Sequence, residues 1–316
     1  MRSFLFRTVA FMIAGLIIPA IILLLPIDKK YQYTFVKNAC SLKSSYIYHR
    51  TYEDSLPVDV AFMGSSHTMC GISDTIVQRV LTDQGKSARV ANMGFCRLGR
   101  DMEYLIFKDL VTHKKPKVLV LEVRQEEAEM SHHDFGYMAD MGDVLAPPMI
   151  VNQSYFTDLA NAFTVRLNYV RDILSHKEYN LPYTAADLAE VHINTIADTA
   201  MLYGGARWRW DRYYSHPRAA WADDMMTRYP KSYVGKIMAL AKEHNVKVIF
   251  LYIPNFGYPN HSPKEQKYYR QLSELVMMPD SFYDATKNWR DDEHFNTPAA
   301  MVLSDTIAHH VAKYLR

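Results

Sequence analysis

Three nearly continuous apolar runs constrain the fold of this chain more than any other feature. They cover residues 58–63 (VDVAFM), 117–123 (KVLVLEV) and 246–253 (VKVIFLYI). Runs of this length, bounded by Gly, Ser or Pro, are typical of strands buried on both faces of a sheet. Helical patterns separate them, and this alternation predicts a parallel sheet with helices on both faces. The predicted fold class is therefore α/β, with a flavodoxin-like, doubly wound sheet.

Weaker patterns complete the alternation. A strand is predicted over 88–92, and helices over 102–112 and 233–245. Ser73 is predicted to cap one further helix, and Thr297, followed by Pro298, to cap the last one. A polar helix over 263–277 is expected to precede a short strand near Phe282.

The N-terminal residues 8–27 (TVAFMIAGLIIPAIILLLPI) contain no charged side chain. About 20 apolar residues suffice for a helix to cross a bilayer. A cleaved signal peptide is the alternative, but the run is longer than a usual hydrophobic region and no small-residue cleavage site closes it. Two basic residues lie on each flank, so the charge rule does not decide the orientation. We expect an uncleaved single-pass anchor (1–27), a juxtamembrane connector (28–56) and an exocytoplasmic body (57–316).

Charge and cysteine content narrow the class of protein. The net charge is +2 and no Lys/Arg-rich run occurs, which argues against a nucleic-acid partner. The three cysteines, Cys40, Cys70 and Cys96, have neither the spacing of a zinc site nor that of a disulfide framework. In an exported body, Cys70 and Cys96 would lie in neighbouring loops and could pair. Free buried cysteines fit the sequence equally well.

Residues 128–231 interrupt the strand-helix alternation. They include helical patterns at 156–173 and 185–200 and an aromatic, basic run at 206–221 (ARWRWDRYYSHPRAAW). We interpret them as an insertion over the carboxyl ends of the strands, where open α/β sheets bind ligands. Its aromatic side chains either stack on sugar rings or pack the insertion's own core; they are Trp208, Trp210, Tyr213, Tyr214 and Trp221.

One set of residues has the chemistry of an activated hydroxyl nucleophile. Such a nucleophile needs a base to take its proton, and a third group to orient that base. Ser66 follows the first predicted strand in Gly64-Ser65-Ser66-His67, and Asp291 precedes His294 by three residues near the last helix. Structural alternatives are a turn serine at Ser66 and a purely stabilising Asp291–His294 bond. Ser65 is a minor alternative nucleophile.

These motifs resemble the SGNH/GDSL hydrolase superfamily. That family combines a G-x-S block after strand one with a D-x-x-H block before the last helix. Here Ser66 takes the nucleophile position, and Asp291 and His294 match the last block. The run Asn92-Met93-Gly94 resembles the second block, in which the resemblance implies that Gly94 donates its N–H to the oxyanion. It also implies acyl-ester chemistry without a cofactor.

The resemblance has departures in the oxyanion region. The family's third block, G-x-N-D, aligns with Arg124-Gln125-Glu126-Glu127, so its Asn is absent. The second glycine of block two falls on Arg97. Arg97, Arg124 or Gln125 would then stand near the oxyanion, and His67, beside the nucleophile, either binds substrate or has a surface role.

With the N-terminal anchor, these departures resemble a divergent membrane-anchored branch that includes the D-alanyl transfer protein of teichoic acid synthesis and alginate O-acetylation proteins. The resemblance implies O-acyl transfer or ester hydrolysis on a cell-surface polysaccharide, beside a membrane-bound O-acyltransferase. The alternative function is a non-catalytic, polymer-binding partner of such an acyltransferase or of a glycan-export complex.

No metal site is predicted from the histidine pairs. Adjacent residues in a strand or helix point apart. We see no matching ligand set near either pair, His132–His133 or His309–His310. Asp284 is not the triad acid, because it lacks the three-residue spacing to a histidine.

Overall fold

The central element is a parallel sheet of five strands. The structure, a computed structural model, describes residues 2–36, 41–146, 149–183, 194–215, 218–258 and 261–315. The strand order is β2-β1-β3-β4-β5, all pairs parallel. The bounds are β1 Val60–Met63, β2 Val90–Asn92, β3 Val118–Val123, β4 Lys247–Tyr252 and β5 Glu274–Val276. The predicted α/β class with a parallel sheet is confirmed.

The chain order of the strands reverses between β1 and β3. From this pair the sheet extends to β2 on one side and to β4 and β5 on the other. Open α/β sheets bind ligands at the carboxyl ends of the strands beside such a reversal. Ser66 follows β1 and Arg124 follows β3, so both lie at this point.

Helices cover the sheet and form most of the insertion. The helices predicted at 156–173 and 102–112 are present, over Tyr155–Leu174 and Arg100–His113. Of the segment predicted helical at 185–200, residues 185–193 lie outside the described residues, and 194–198 are not helical. The helix bounds are α1 Arg2–Leu24, α2 Lys29–Thr34, α3 Ser41–Tyr48, α4 Ser66–Gly71, α5 Asp74–Asp83, α6 Arg100–His113, α7 Phe135–Met138, α8 Met141–Leu145, α9 Tyr155–Leu174, α10 Thr199–Arg209, α11 Ala220–Glu243, α12 Gln266–Leu272, α13 Asp280–Asp284 and α14 Thr297–Ala312.

The first helix, α1, is long and apolar enough to cross a bilayer. Its segment Phe4–Leu24 has a mean hydropathy of 2.3, and none of it is buried in the rest of the protein. Pro19 lies inside the helix without ending it.

The segment predicted as a connector is folded onto the body. It contains α2, α3 and a π-helical turn over His49–Glu53. Tyr31, Tyr33 and Ile47 are almost completely buried. Burial of these large side chains fixes the segment, because each contributes about 1.5–3 kcal/mol or more through the hydrophobic effect.

The last strand and the last helix cap differ from the sequence prediction. Phe282 lies in helix α13, so the strand predicted there is wrong, and the fifth strand is Glu274–Val276. Three residues at a sheet edge carry too little periodicity to be told from a helix end. The side chain of Asn296 caps α14, which leaves Thr297 as its first helical residue.

A buried carboxyl group in α6 makes stability depend on pH. Asp101 is fully buried and accepts hydrogen bonds from the N–H of His132 and the hydroxyl of Tyr229. Burial, with nearby Asp158, raises the pKa of Asp101 to about 7. Between pH 4 and 7 the folded state therefore holds a proton that the unfolded state has released, and stability falls as the pH rises. Above pH 7 this contribution is constant.

We expect Asp101→Asn to remove this pH dependence. The stability of the wild type relative to the variant should fall by a few kcal/mol, about 1.4 per pKa unit, between pH 4 and 7. Thermal melts of both proteins in the same detergent, from pH 4 to 9, measure it. A constant difference between the two proteins would show that Asp101 does not titrate in this range.

Candidate active site

The turn after β1 holds the predicted nucleophile. Ser65 caps α4 by accepting a hydrogen bond from the N–H of His67, and Ser66 is the first residue of that helix. A Cβ on Gly64 would overlap the Glu122 side chain and Thr68 Oγ1. Only glycine fits there, because the Glu122 side chain crosses the turn at that position.

Glu122 anchors this turn from the neighbouring strand β3. Its carboxylate is buried and accepts four hydrogen bonds. Oε1 accepts from Ser65 Oγ at 2.7 Å. Oε2 accepts from the Ser65 N–H, the Thr68 N–H and Thr68 Oγ1 at 2.9, 2.9 and 2.6 Å. Glu122 was not among the predicted site residues, although a carboxylate inside an apolar strand was a usable signal, since buried charges require partners.

The loop before α14 orients the predicted base. Asp291 Oδ1 accepts hydrogen bonds from the backbone N–H groups of Glu293 and His294 at 2.9 and 2.7 Å. His294 Nδ1 lies 2.9 Å from the same oxygen and 3.1 Å from Oδ2. Burial alone would raise the pKa of Asp291, but these hydrogen bonds outweigh it and hold the pKa far below its ordinary value. Asp291 is therefore an ionised acceptor for the Nδ1–H of His294.

Ser66 follows the first strand, whereas Asp291 and His294 precede the last helix, and the structure brings these three residues together. Ser66 Oγ is 2.8 Å from His294 Nε2. Because Asp291 takes the Nδ1–H, Nε2 carries the lone pair and accepts the hydroxyl proton of Ser66. Ser66 and His294 are both only partly buried. The three groups have the sequence of contacts and the hydrogen-bond distances expected of a nucleophile, a base and an acid that orients the base.

Arg209, which lies in the insertion, stabilises the same loop through two hydrogen bonds to Asp292. It is almost completely buried and donates to Asp292 Oδ2 at 2.6 Å and to the Asp292 carbonyl at 2.7 Å. Helix α10 approaches so closely that a Cβ on Gly205 would overlap the Asp292 carboxylate. Sequence reasoning missed Arg209, because it is one of several arginines in an aromatic, basic run.

The residues predicted to lie near the oxyanion only partly have the arrangement expected of hydrogen-bond donors. The N–H of Gly94 donates to Asn92 Oδ1 at 2.9 Å and is thus already engaged. Arg97 is exposed and has φ +63°, the left-handed region that favours glycine. Among the described residues, the N–H of Ser66 has no hydrogen-bond partner, which leaves it able to donate to an oxyanion.

Arg124 lies next to the nucleophile turn. Its guanidinium donates to Ser65 Oγ at 3.3 Å and to Asn255 Oδ1 at 2.7 Å. Gln125 is buried, and its Oε1 accepts from the N–H of Asn255 at 3.2 Å. Arg124 therefore lies beside Ser66, whereas Gln125 supports the loop that follows β4.

His67 is a buried neighbour of the base. Its ring centroid is 5.0 Å from that of His294. Burial lowers the pKa of His67 well below its ordinary value, and the charge of Arg124 acts in the same direction. His67 is therefore a neutral imidazole inside the site and not a surface residue.

Three members of the other histidine pairs, His132, His309 and His310, have hydrogen-bond partners. The two ring nitrogens of His132 face the Cys96 carbonyl at 2.7 Å and the Asp134 N–H at 3.1 Å. Asp134 and His133 lie close to it, so this pair does have a potential metal-ligand set, which was not predicted. His309 contacts Gln84 and His310 contacts Glu274.

Cys70 and Cys96 are not paired with each other. Cys70 is a free thiol in α4, whereas Cys96 is disulfide-bonded. The alternative in which these two residues pair is therefore wrong, because Cys96 forms its disulfide without Cys70.

The tryptophans of the insertion are largely exposed. Trp208, Trp210 and Trp221 expose about half or more of their surface. Trp210 lines a small hollow together with Arg209 and Asn255. The side chains of Tyr213 and Tyr214 lie outside the described part of the chain.

No protein-family model, no curated protein and no solved structure matches this chain.

Proposed function

We propose that this protein transfers or hydrolyses an O-acyl group through an acyl-serine at Ser66, as a divergent SGNH-like enzyme of the cell surface. The observation that carries the proposal is the continuous hydrogen-bond chain from Ser66 Oγ through His294 to Asp291. It joins residues that are 228 positions apart in sequence.

The proposed reaction begins with attack of Ser66 Oγ on the ester carbonyl carbon. His294 Nε2 takes the hydroxyl proton, while Asp291 orients and stabilises the resulting imidazolium. The tetrahedral intermediate collapses, its C–O bond to the alcohol breaks, and His294 returns the proton to the leaving oxygen. A sugar hydroxyl or water then attacks the acyl-serine by the same steps in reverse.

The charge of the tetrahedral intermediate needs donors. The Ser66 N–H supplies one, and the Arg124 guanidinium, 3.3 Å from Ser65 Oγ, stands beside the nucleophile. Gly94 would have to release Asn92 before it could contribute. This incomplete set favours acyl transfer or slow hydrolysis over fast hydrolysis.

Location and substrate class rest on separate observations. Helix α1 supports a single-pass membrane anchor. The disulfide at Cys96 supports an exocytoplasmic body, because disulfides persist in oxidising compartments. Two exposed tryptophans flank Arg209 in the chain, Trp208 and Trp210, and support a polysaccharide substrate, since indole rings stack on sugar faces.

Labelling with a fluorophosphonate tests this function. We expect the full-length protein in detergent to be labelled, and Ser66→Ala to abolish labelling. Ser65→Ala is the matched control: it loses a helix cap, worth about 1 kcal/mol, and the hydrogen bond to Glu122 Oε1, worth about 1.5–3 kcal/mol. It keeps the nucleophile, and the folded variant should still be labelled. Labelling that survives in Ser66→Ala and disappears in Ser65→Ala would move the nucleophile to Ser65.

The engaged Gly94 N–H favours one other function. A site without a free second backbone donor fits a non-catalytic, polymer-binding partner of a membrane-bound O-acyltransferase or glycan-export complex. A folded protein that is never labelled, yet binds polysaccharide through the insertion, would support this second function.

A further inference from the structure

Three side chains with metal-binding atoms meet beside the Ser66–His294 hydrogen bond. One ring nitrogen of His67, one of His294 and one carboxylate oxygen of Glu293 lie within 4.8 Å of one another. Two imidazoles and one carboxylate are the protein ligands of many zinc sites that keep an open position.

The buried side chain of His67 independently indicates a ligand. It is 2% exposed, and its Nδ1 atom is buried without any hydrogen-bond partner. A buried polar atom left unpaired costs about 1–3 kcal/mol. A bound ion would remove this cost, and the neutral imidazole is the form that binds metals.

His294 also has the outer support typical of a metal ligand. A ligating imidazole usually donates its second ring N–H to a carboxylate or a backbone carbonyl. Asp291 takes this role for His294 at 2.9 Å. The lone pair on Nε2 of His294, which contacts the Ser66 hydroxyl in this structure, is thereby directed away from Asp291.

We propose that His67, His294 and Glu293 bind a Zn²⁺ ion that reversibly inhibits the serine chemistry. Zinc would take the Nε2 lone pair of His294, so Ser66 would keep its proton and remain a poor nucleophile. Glu293 would exchange its contact with Arg209, 3.6 Å away, for the ion, which keeps zinc binding reversible. The inhibition rests on the proposed function, whereas the metal site does not.

Calorimetric titration of the full-length protein in detergent with zinc chloride tests the site. Ser66→Ala should bind zinc like the wild type, because Ser66 is not a ligand. His67→Ala and Glu293→Gln should each weaken binding by about tenfold or more. Glu293 is half-exposed, so its variant remains informative if His67→Ala fails to fold. Magnesium chloride should not bind, because Mg²⁺ prefers oxygen ligands.

His133→Ala is the matched control, because it removes a histidine from the other cluster, His132–His133–Asp134. It should keep both labelling and zinc binding. Zinc should slow fluorophosphonate labelling of the wild type, and a chelator should restore it. Equal zinc affinity in the wild type, His67→Ala and Glu293→Gln, or loss only in His133→Ala, would overturn the proposal. A protein that binds zinc but is never labelled would contradict the proposed function alone.

Discussion

His294→Ala should slow fluorophosphonate labelling of Ser66 by about 10⁶-fold, in effect to background. The variant removes His294 Nε2, the predicted base, which lies 2.8 Å from Ser66 Oγ. Losses of this size are seen when the base of a serine triad is removed. Asp291→Asn should cost about 10⁴-fold, because an amide at this position favours the wrong imidazole tautomer. The measurement is the second-order labelling rate of each purified protein.

His309→Ala is the control for these variants. His309 is exposed on α14 and contacts Gln84, far in the fold from the carboxyl ends of the strands. Its labelling rate should equal that of the wild type. If Asp291→Asn also labels at the wild-type rate, the Asp291–His294 bond only stabilises the loop and has no part in activating Ser66.

Glu122→Ala should both destabilise the protein and abolish labelling. It leaves four donors without their acceptor, namely the N–H groups and hydroxyls of Ser65 and Thr68. Removing one side of a buried charged network typically costs about 3–5 kcal/mol. We expect a melting temperature lower by about 10 °C. Below that temperature the Ser66 turn, released from β3, should no longer hold the nucleophile against His294.

Two further variants separate positioning from stability. Glu122→Gln keeps one acceptor oxygen and should give an intermediate melting temperature and labelling rate. Glu126→Ala, four residues further along and partly exposed, should change stability by less than about 0.5 kcal/mol and leave labelling intact. If Glu122→Ala labels normally while still folded, Glu122 does not position Ser66.

Sequence patterns predicted the parallel sheet because its central strands are continuous apolar runs. They also selected Ser66, Asp291 and His294, since a nucleophile after the first strand and an acid three residues before a histidine are local motifs. Whether those residues meet depends on packing over a separation of 228 positions, which only the structure gives.

The elements that sequence reasoning missed have no local pattern. The charge of Glu122 was visible, but its four partners lie in another turn. Arg209 reaches Asp292 only because α10 approaches at Gly205. The three-residue strand β5 is defined by its pairing with β4. Whether the Gly94 N–H donates to Asn92 depends on the side-chain rotamer of Asn92.

The burial of Tyr31 and Tyr33 limits how far the body can lie from a membrane that contains α1. Only residues 25–28 separate α1 from α2, and α2 is already packed into the body. Four extended residues span at most about 14 Å. With α1 in a bilayer, the body would therefore be held against the membrane surface, and any molecule that binds it would have to reach it there.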